Sequence, residues 1–383
     1  AYEIGVRLVG SEMCIKRQGN QVLIKQAKLM ASNPSERTIC ARLMNDRFAL
    51  CLPREEFDEK RVADSIKELQ REFSGNSFHL HTYMGVYEIR DRDEAVSIMV
   101  DKANIAADTI KNNYDCCVAY YDEHLLEISI EQRRLLGEFE PALQNDEFVM
   151  YLQPQVKRDG AAKGAEALVR WVHPSRGILT PYAFIDILEN AGLIYKLDLY
   201  IWEKAAQKLA EWKEKGYGSY HISVNISTKD FYIIDIYETF TGLINKYGIA
   251  ASNLHLEITE TTLMTDFEKN MNIIHKLQGV GFRVEIDDFG SGYSSLNMLK
   301  DISADVLKID MGFLRKSENE VKGQDILESI ITLAGKIGMD VITEGVETKK
   351  QLDMLTMMGC HEFQGYYFSK PVPVSEFEEK YLV

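Results

Sequence analysis

From Asn145 onward, short apolar runs alternate with helix-like segments, and this alternation constrains the fold more than any other feature of the sequence. Eight runs are typical of strands: FVMYLQPQV, GAEALVRWV, HISVNIS, NLHLEIT, RVEIDDF, ADVLKID, MDVITE and EFQGYYFS. Several of the intervening helical patterns end at a glycine, a common helix C-cap. The pattern predicts an α/β fold, a (β/α)8 TIM-like barrel over residues 146–383. A doubly wound open sheet is the alternative, but no GxGxxG follows the first strand.

The first third of the chain has a different pattern, which predicts a smaller, separate α+β domain over residues 1–122. A hairpin is predicted over TICARLMNDRFALCLP and a later strand over SFHLHTYMGVYEI, accompanied by three helical segments. The charged, helix-prone segment 123–145 is broken only near Pro141 and is predicted to form a connecting helix.

Composition argues against several classes of function. The 383 residues include 59 acidic and 44 basic ones, and the formal net charge of −15 repels polyanions, so no nucleic-acid polymer is expected as a partner. The sequence has no apolar stretch near the roughly 20 residues of a membrane span, no signal peptide and no CxxC pair, which predicts a cytoplasmic protein with reduced thiols. Because core-like sequence starts almost at Ala1, we also expect a preceding sensor or membrane region in the full-length protein.

Almost every strand of the predicted barrel carries a polar residue near its C-terminal end, where barrel enzymes place their active sites. In chain order these residues are Glu166, Asn225, Glu257, Asp287 with Asp288, Lys308, Glu344 and Gln364. A single acid would be typical of a solvated strand end or a local salt bridge. The whole set is not, because charged residues rarely interrupt apolar strands without partners.

The chemistry of this set favours divalent cations. Five carboxylates and a carboxamide at one mouth would raise each other's pKa values unless a cation neutralised them. Such oxygen ligands suit Mg²⁺ or Mn²⁺, and no His or Cys cluster recommends zinc. Asp287 can bridge two cations while Asp288 serves the second, which predicts a two-metal site that clamps a phosphodiester and activates a water.

Two further features near these acids have alternative interpretations. Lys308 is either a counter-ion for the acids or a group that orients the attacking water, and we favour both roles together. The segment GSGYSS, with Gly290 and Gly292, is either a loop that closes over the site or a plain turn at the barrel rim.

Other conspicuous residues are interpreted as structural. His221 and His255 stand at strand starts and are interpreted as core or rim residues, and Trp171, Trp202 and Trp212 as packing residues. Neither half of the chain contains a P-loop or a nucleophile elbow.

The motifs carrying these residues closely resemble the EAL-domain cyclic di-GMP phosphodiesterases. EALVRW, DDFGSGYSSL, KID, EGVE and QGYYFSKP match the family's blocks in order and spacing, from about Glu138 onward. The resemblance implies a phosphodiesterase that opens cyclic di-GMP to linear pGpG with Mg²⁺ or Mn²⁺. It also implies a homodimer through the EAL domains.

The resemblance further implies a role for each matching residue. One metal would be held by Glu166, Asn225, Glu257 and Asp287, and the second by Asp287, Asp288 and Glu344. The catalytic set would be Lys308, which positions the water, together with Glu344, Glu166 and Asp287. Glu260 would anchor the loop after Asp288. The dinucleotide pocket would be lined by Gln153, Leu168, Arg170, Asp288, Asp310, Gln364 and Pro371. Gln155 departs from the family pattern, since an aliphatic residue is usual there.

The N-terminal domain resembles a GGDEF domain whose signature is degenerate. Met44, Asn45, Asp46, Arg47 and Phe48 stand where Gly, Gly, Asp, Glu and Phe are expected. Losing both glycines removes backbone room for a nucleotide, and a cation replaces an acidic metal ligand, so cyclase activity is predicted to be absent. The RxxD inhibitory motif is also missing, since Ser35 and Thr38 occupy its two defining positions, and no aspartate near residues 3–8 matches the metal ligand of the first strand.

Two questions about function stay open from the sequence. The degenerate domain is either a structural or dimerising spacer, or a regulatory domain that binds GTP or another ligand. For the whole chain, the alternative to hydrolysis is a non-catalytic cyclic di-GMP receptor that signals through the connecting helix. Such receptors are expected to lose metal ligands, and none of the matching positions is lost here.

Overall fold

The computed structural model describes residues 2–9, 15–31, 35–73, 80–111, 113, 116–289, 302–310 and 320–382. The chain divides into two compact units, Ala1–Arg134 and Leu135–Val383. Within the described residues, none of the helices combines the length and the hydrophobicity that crossing a bilayer requires.

The first unit is built on a five-stranded sheet with the order β2-β3-β1-β4-β5. Its strands are β1 (Tyr2–Val9), β2 (Ile39–Arg42), β3 (Phe48–Leu52), β4 (His81–Glu88) and β5 (Val118–Tyr120). The predicted hairpin is confirmed, because β2 pairs with β3 in antiparallel register. The helices are α1 (Ile15–Ala31), α2 (Glu59–Phe73) and α3 (Val96–Asp108), and a 3₁₀ helix spans Arg54–Glu56. This is the predicted α+β pattern.

Helix α4 (Glu123–Gln144) contains Pro141, and the limit between the two compact units falls inside it. The continuous helix covers most of the segment predicted to connect the domains. The domain limits at residues 122 and 145 stay a prediction.

The second unit is an eight-stranded closed barrel, as predicted. Its strands are β6 (Phe148–Lys157), β7 (Ala162–His173), β9 (His221–Ile226), β10 (Leu254–Thr259), β11 (Arg283–Phe289), β12 (Val306–Asp310), β13 (Asp340–Glu344) and β14 (Glu362–Phe363). The ring closes because β6 pairs with β7 on one side and with β14 on the other. Two short strands, β8 (Gly177–Leu179) and β15 (Val372–Pro373), extend this sheet.

The barrel departs from a regular alternation of parallel strands and helices at its first strand. β6 runs antiparallel to both of its neighbours, whereas β7 and β9 to β14 pair in parallel. Only residues 158–161 connect β6 to β7, which is enough for a hairpin but too short for the crossover that parallel strands need.

The last barrel strand is also shorter than predicted, with two residues instead of the eight of EFQGYYFS. Gly365 follows it with φ of 156°. A Cβ atom added there would lie 2.2 Å from the backbone oxygen of Val346, so the chain passes too close to a neighbouring backbone for any other residue.

Helices surround the barrel and complete its core. They are α5 (Ile185–Ala191), α6 (Ile194–Glu214), α7 (Asp230–Ile233), α8 (Ile236–Tyr247), α9 (Glu260–Thr265), α10 (Phe267–Val280), α11 (Glu320–Lys336), α12 (Lys349–Met357) and α13 (Val374–Tyr381), with 3₁₀ helices at Pro181–Ala183 and Ala251–Asn253. The packing role predicted for Trp171, Trp202 and Trp212 is confirmed, since all three are buried in the hydrophobic core.

Candidate active site

Lys308 lies inside the barrel on β12 and is completely buried. Its Nζ atom is 2.7 Å from Oε2 of Glu257, 2.9 Å from Oε1 of Glu344 and 3.2 Å from Oδ1 of Asp287. Oε2 of Glu166 lies 3.5 Å away. Strands β7, β10, β11 and β13 therefore each bring one carboxylate to the same ammonium group. We call these five residues the Lys308 cluster.

Amide side chains hold Glu166 in place on both of its oxygens. Asn225 donates through Nδ2 to Oε1 at 3.2 Å, and Gln364 donates through Nε2 to Oε2 at 2.5 Å. The same Gln364 nitrogen is 3.3 Å from Oε1 of Gln153, whose own amide donates to the backbone oxygen of Ser369. The carboxylate of Glu166 thus has a fixed orientation toward Lys308.

Asp287 and Asp288 lie where the pairing of β11 with β12 is irregular. The register shifts between Ile286 and Phe289, which marks a bulge, and Asp288 has φ of 56°. Few side chains adopt this left-handed conformation, and bulges near active sites re-aim a side chain. Loss of solvent raises the pKa of Asp288, and the charges of Asp287 and Asp310 raise it further. The carboxyl group of Asp288 therefore interacts electrostatically with the acids of the site.

Two buried acids of the Lys308 cluster, Glu344 and Glu257, have raised pKa values. Burial raises the pKa of Glu344 to about 8, Lys308 opposes the rise, and Asp287 and Glu166 add to it. Burial and then the charge of Glu166 also raise the pKa of Glu257 well above its usual range. For Lys308 burial alone would lower the pKa, but the surrounding carboxylates outweigh it and keep the ammonium charged.

The composition of this site fits divalent cations. Five carboxylates, the four of the Lys308 cluster and Asp288, face one ammonium, and two divalent cations would supply the remaining positive charge. In the part of the chain that the structure describes, Oε1 of Glu257 is buried without a hydrogen-bond partner. The donors are all oxygen atoms, which Mg²⁺ and Mn²⁺ prefer.

The predicted dinucleotide pocket begins on the same face of β7 as Glu166, since Leu168 and Arg170 follow at alternate positions. The guanidinium of Arg170 lies 5.5 Å from the centre of the Tyr151 ring. Burial lowers the pKa of Arg170, and the nearby Tyr151 and Tyr366 partly oppose this. Arg170 is therefore a half-buried cation beside the Tyr151 ring.

The remaining predicted residues stand at or near the ends of barrel elements. Asp310 ends β12 and stands in register with Glu344 on β13. Pro371 immediately precedes β15, and Glu260 begins α9 directly after β10. The loop that Glu260 was predicted to anchor, including Gly290 and Gly292, lies outside the described residues.

A second polar group, which the sequence analysis did not assign to a site, lies nearer the N-terminal ends of the parallel strands. We call it the base cluster; its members are all buried and comprise Gln155, His221, Ser223, His255 and Glu285. Three of them precede a predicted site residue by two positions on the same strand. A search for period-two polar residues along each strand would have found them.

Hydrogen bonds and ring stacking join the base cluster. Oε1 of Glu285 lies 2.5 Å from Nδ1 of His255 and accepts from Ser223 Oγ at 3.2 Å, while Nε2 of His221 lies 2.7 Å from Oε1 of Gln155. Burial alone would raise the pKa of Glu285, but its hydrogen bond with His255 and the charge of that ring bring it to about 2. Burial and then His255 lower the pKa of His221 well below its usual value.

Sequence reasoning also missed an acid pair, Asp198 on α6 and Asp230 on α7. Burial raises the pKa of Asp230 to about 6, although hydrogen bonds to Asp198 and to the backbone of Ser227 oppose the rise. Burial and then the charge of Asp230 raise the pKa of Asp198 well above its ordinary value. The two carboxyl groups therefore share a proton around neutral pH.

Comparison with protein families finds two matches along the chain. Residues 137–371 match the EAL domain model, and residues 16–115 match the model for the GGDEF domain of diguanylate cyclases. The two matches lie in tandem.

Curated relatives match either nearly the whole chain or a part of it. The bifunctional diguanylate cyclase/cyclic di-GMP phosphodiesterase MucR of Pseudomonas aeruginosa is 30% identical over 94% of this chain and 53% of its own length. The cyclic di-GMP phosphodiesterase PdeR of Escherichia coli is 33% identical over 63% of this chain and 36% of its own length. The chain spans about half the length of the curated relatives it matches most fully.

Solved structures resemble the barrel. The PaMucR phosphodiesterase in complex with c-di-GMP aligns with a TM-score of 0.61 and 33% identity, over 64% of this chain and 99% of that one. An EAL domain protein from Listeria monocytogenes aligns with a TM-score of 0.54 and 29% identity, over 64% of this chain and 97% of that one.

Proposed function

Because this chain belongs to the EAL domain family, we propose that it hydrolyses cyclic di-GMP to linear pGpG with two divalent cations, Mg²⁺ or Mn²⁺. The observation that carries the proposal is the Lys308 cluster, in which four strands bring carboxylates within 3.5 Å of one buried ammonium. The names of MucR and PdeR, both cyclic di-GMP phosphodiesterases, support the choice of substrate.

The proposed metal ligands are the residues that the Lys308 cluster gathers, with their neighbours at the barrel mouth. One cation would be held by Glu166, Asn225, Glu257 and Asp287, and the other by Asp287, Asp288 and Glu344. When bound, the cations supply Lewis acidity toward the phosphate oxygens and lower the pKa of the attacking water.

The chain's own groups orient the reaction. Lys308 stays protonated and, as a donor beside Glu257 and Glu344, is suited to hold the attacking water in line with the phosphorus atom. The water oxygen forms the new bond to phosphorus, the bond from phosphorus to the 3′ oxygen breaks, and a proton from water ends on that oxygen. The products are one 5′-phosphate and one 3′-hydroxyl, as in pGpG.

Substrate binding is assigned to the residues of the predicted pocket: Gln153, Leu168, Arg170, Asp288, Asp310, Gln364 and Pro371. Arg170 is the cation of this set, and its planar guanidinium can donate two parallel hydrogen bonds to a phosphate. Its position beside Tyr151 restricts the side chain, so less rotamer entropy is lost when the substrate binds.

Product analysis with a ligand variant tests this proposal. Purified chain is incubated with cyclic di-GMP and Mg²⁺ or Mn²⁺, and pGpG is quantified beside Glu166→Gln and the partly exposed control Asp353→Asn. We expect the Glu166 variant to retain binding but lose turnover by about 100-fold or more, and the control to match wild type. Wild-type binding without any pGpG would contradict hydrolysis and support the receptor.

The non-catalytic receptor is the second candidate, and the altered signature of the first domain favours it. This signature lies in the hairpin of β2 and β3. There the backbone N–H of Leu43 donates to the backbone oxygen of Arg47, and the backbone N–H of Arg47 donates to the backbone oxygen of Met44, both at 2.9 Å. Arg42 donates through Nη2 to the backbone oxygen of Asn45 at 2.6 Å, and Asn45 has φ of 54° in a position where the family has glycine.

For this N-terminal domain we propose a structural or regulatory role without cyclase activity. The tight turn and the cation Arg47 replace the glycines and the acid that a cyclase would use. Incubation with GTP and Mg²⁺ should give no cyclic di-GMP, and pGpG production with and without GTP distinguishes a regulatory domain from a spacer. The predicted homodimer is tested by light scattering of the purified chain.

A further inference from the structure

We propose that the base cluster is a second metal site, which takes a divalent transition-metal ion such as Zn²⁺ and is built from His221, His255 and Glu285. One ligand atom from each residue lies within 4.8 Å of the other two, and all three side chains are buried. Two imidazoles and one carboxylate form a ligand set that zinc and related metals prefer. The ligands proposed at the barrel mouth, by contrast, are oxygen atoms.

An unsatisfied oxygen supports a cation at this place. Glu285 is completely buried, and its Oε2 atom has no hydrogen-bond partner among the described residues. Leaving a buried carboxylate oxygen unpaired is costly, and a coordinated ion would remove that cost.

Coordination requires one imidazole ring to turn. The rings of His221 and His255 are stacked with centres 3.8 Å apart and 5° between their planes, so one ion cannot lie in both planes. His255 donates from Nδ1 to Glu285 and from Nε2 to the backbone oxygen of Ser252, so an ion bound at Nδ1 displaces the Nδ1 proton into solvent. Among the described residues, the one hydrogen bond of the His221 ring joins its Nε2 to the flexible amide of Gln155, so this ring is the one that turns.

Space for the His221 ring depends on a glycine in the neighbouring strand. A Cβ atom added at Gly164 would lie 2.4 Å from atoms of that ring. The three ligands also line a cavity of about 480 Å³. Lys163 and Arg283 line it too, but they pair with Glu362 and Asp340, which offsets their charge.

The base cluster is distinct from the proposed catalytic metal site. His255 and Glu285 precede Glu257 and Asp287 by two residues, which is about 7 Å along a strand. An ion there would therefore bind on the same two strands that carry catalytic ligands, without occupying the mouth.

Zinc binding in the presence of excess Mg²⁺ tests the proposal. Untagged full chain is dialysed against Zn²⁺ with millimolar Mg²⁺, and bound zinc is quantified and examined by X-ray absorption, which detects imidazole ligands. We expect one zinc per chain with imidazole coordination, and a loss of affinity of about tenfold or more in His221→Ala and in the isosteric Glu285→Gln. The controls His275→Ala and His361→Ala remove exposed imidazoles and should bind as wild type does.

Three outcomes would overturn the proposal. They are no zinc retained under Mg²⁺, zinc with oxygen ligands only, and equal affinity in wild type and the cluster variants. Circular dichroism checks folding, and Glu285→Gln decides if His221→Ala does not fold. The readout needs no turnover, so it stands apart from the test of hydrolysis.

Discussion

The Nζ atom of Lys308 lies 2.7 Å from Oε2 of Glu257, and both side chains are fully excluded from solvent. A buried ion pair of this kind is not by itself strong evidence of stability, but removing one partner leaves an uncompensated buried charge. Three other acids, Glu166, Asp287 and Glu344, surround the same ammonium. Removing Lys308 would therefore leave four carboxylates without the counter-ion that they share.

Lys308→Met should therefore make the barrel depend on added cations. Without divalent metal we expect the free energy of unfolding to fall by about 3 to 5 kcal/mol, because the four carboxylates lose the ammonium that they share. Mn²⁺ should restore part of this loss, which denaturant unfolding with EDTA and with Mn²⁺ measures. The control Lys204→Met removes an exposed pair with Asp146 and should cost at most about 1 kcal/mol. An equal, metal-independent loss in both variants would contradict the account.

Binding of Mg²⁺ should release protons at pH 7. The pKa of Glu344 is raised to about 8 in the metal-free protein, so this carboxyl group is mostly protonated at pH 7, and a cation favours its charged form. We expect release of about one proton, seen as a heat of binding that depends on the ionisation enthalpy of the buffer. Glu344→Gln should reduce the release. Heats that are identical in all buffers would show that the acids are already ionised.

Arg170→Lys should weaken substrate binding more than it slows turnover. The ammonium keeps the charge but loses the planar, two-pronged contact with phosphate and the stacking on Tyr151. We expect KM for cyclic di-GMP to rise about tenfold or more, with a smaller change in kcat. Arg158→Lys, at an exposed position, is the matched control. An unchanged KM would remove Arg170 from the proposed pocket.

Asp198→Asn should stabilise the barrel at high pH only. Since the pKa of Asp230 is about 6 in the folded chain and 3.8 ordinarily, the folded state holds a proton that the unfolded state has lost between these values. The pKa of Asp198 is also raised well above its ordinary value, so the free energy of unfolding of wild type falls as pH rises above about 4, through the raised pKa values of both acids. We expect the variant to gain about 1 to 3 kcal/mol at pH 8 and nothing at pH 4, by denaturant unfolding. A gain that is the same at both pH values would refute the shared proton.

Gly164→Ala should destabilise the barrel through His221. The new Cβ would meet the imidazole at 2.4 Å, and overpacking of this kind costs about 1 to 3 kcal/mol. Combining it with His221→Ala should abolish that cost, which a double-mutant cycle of unfolding free energies measures. Gly137→Ala, where a Cβ meets nothing within 4 Å, serves as the control. Additive losses in the double variant would mean that the glycine serves another purpose.

The barrel could be predicted because each strand has a short apolar run with a polar residue near its end. What the sequence did not predict was the direction of β6, because strand patterns carry no direction and only the short 158–161 connection decides it. The bulge at Asp288 was likewise not predicted, although the two adjacent aspartates indicated an unusual end to this strand.

The base cluster shows a different limit of sequence reasoning. His221, His255 and Glu285 are separated by about thirty residues each, so no spacing motif joins them, and the histidines were interpreted singly as core or rim residues. Only the in-register pairing of β9, β10 and β11 brings them together. Asp198 and Asp230 were missed for the same reason.

The most direct test of the account is an anomalous-scattering map of crystals grown with Mn²⁺. We predict two peaks about 3.5 to 4 Å apart at the barrel mouth, bridged by Asp287 and flanked by Glu166, Glu257, Asp288 and Glu344. A mouth without manganese, in which Lys308 alone neutralises the carboxylates, would contradict the central claim.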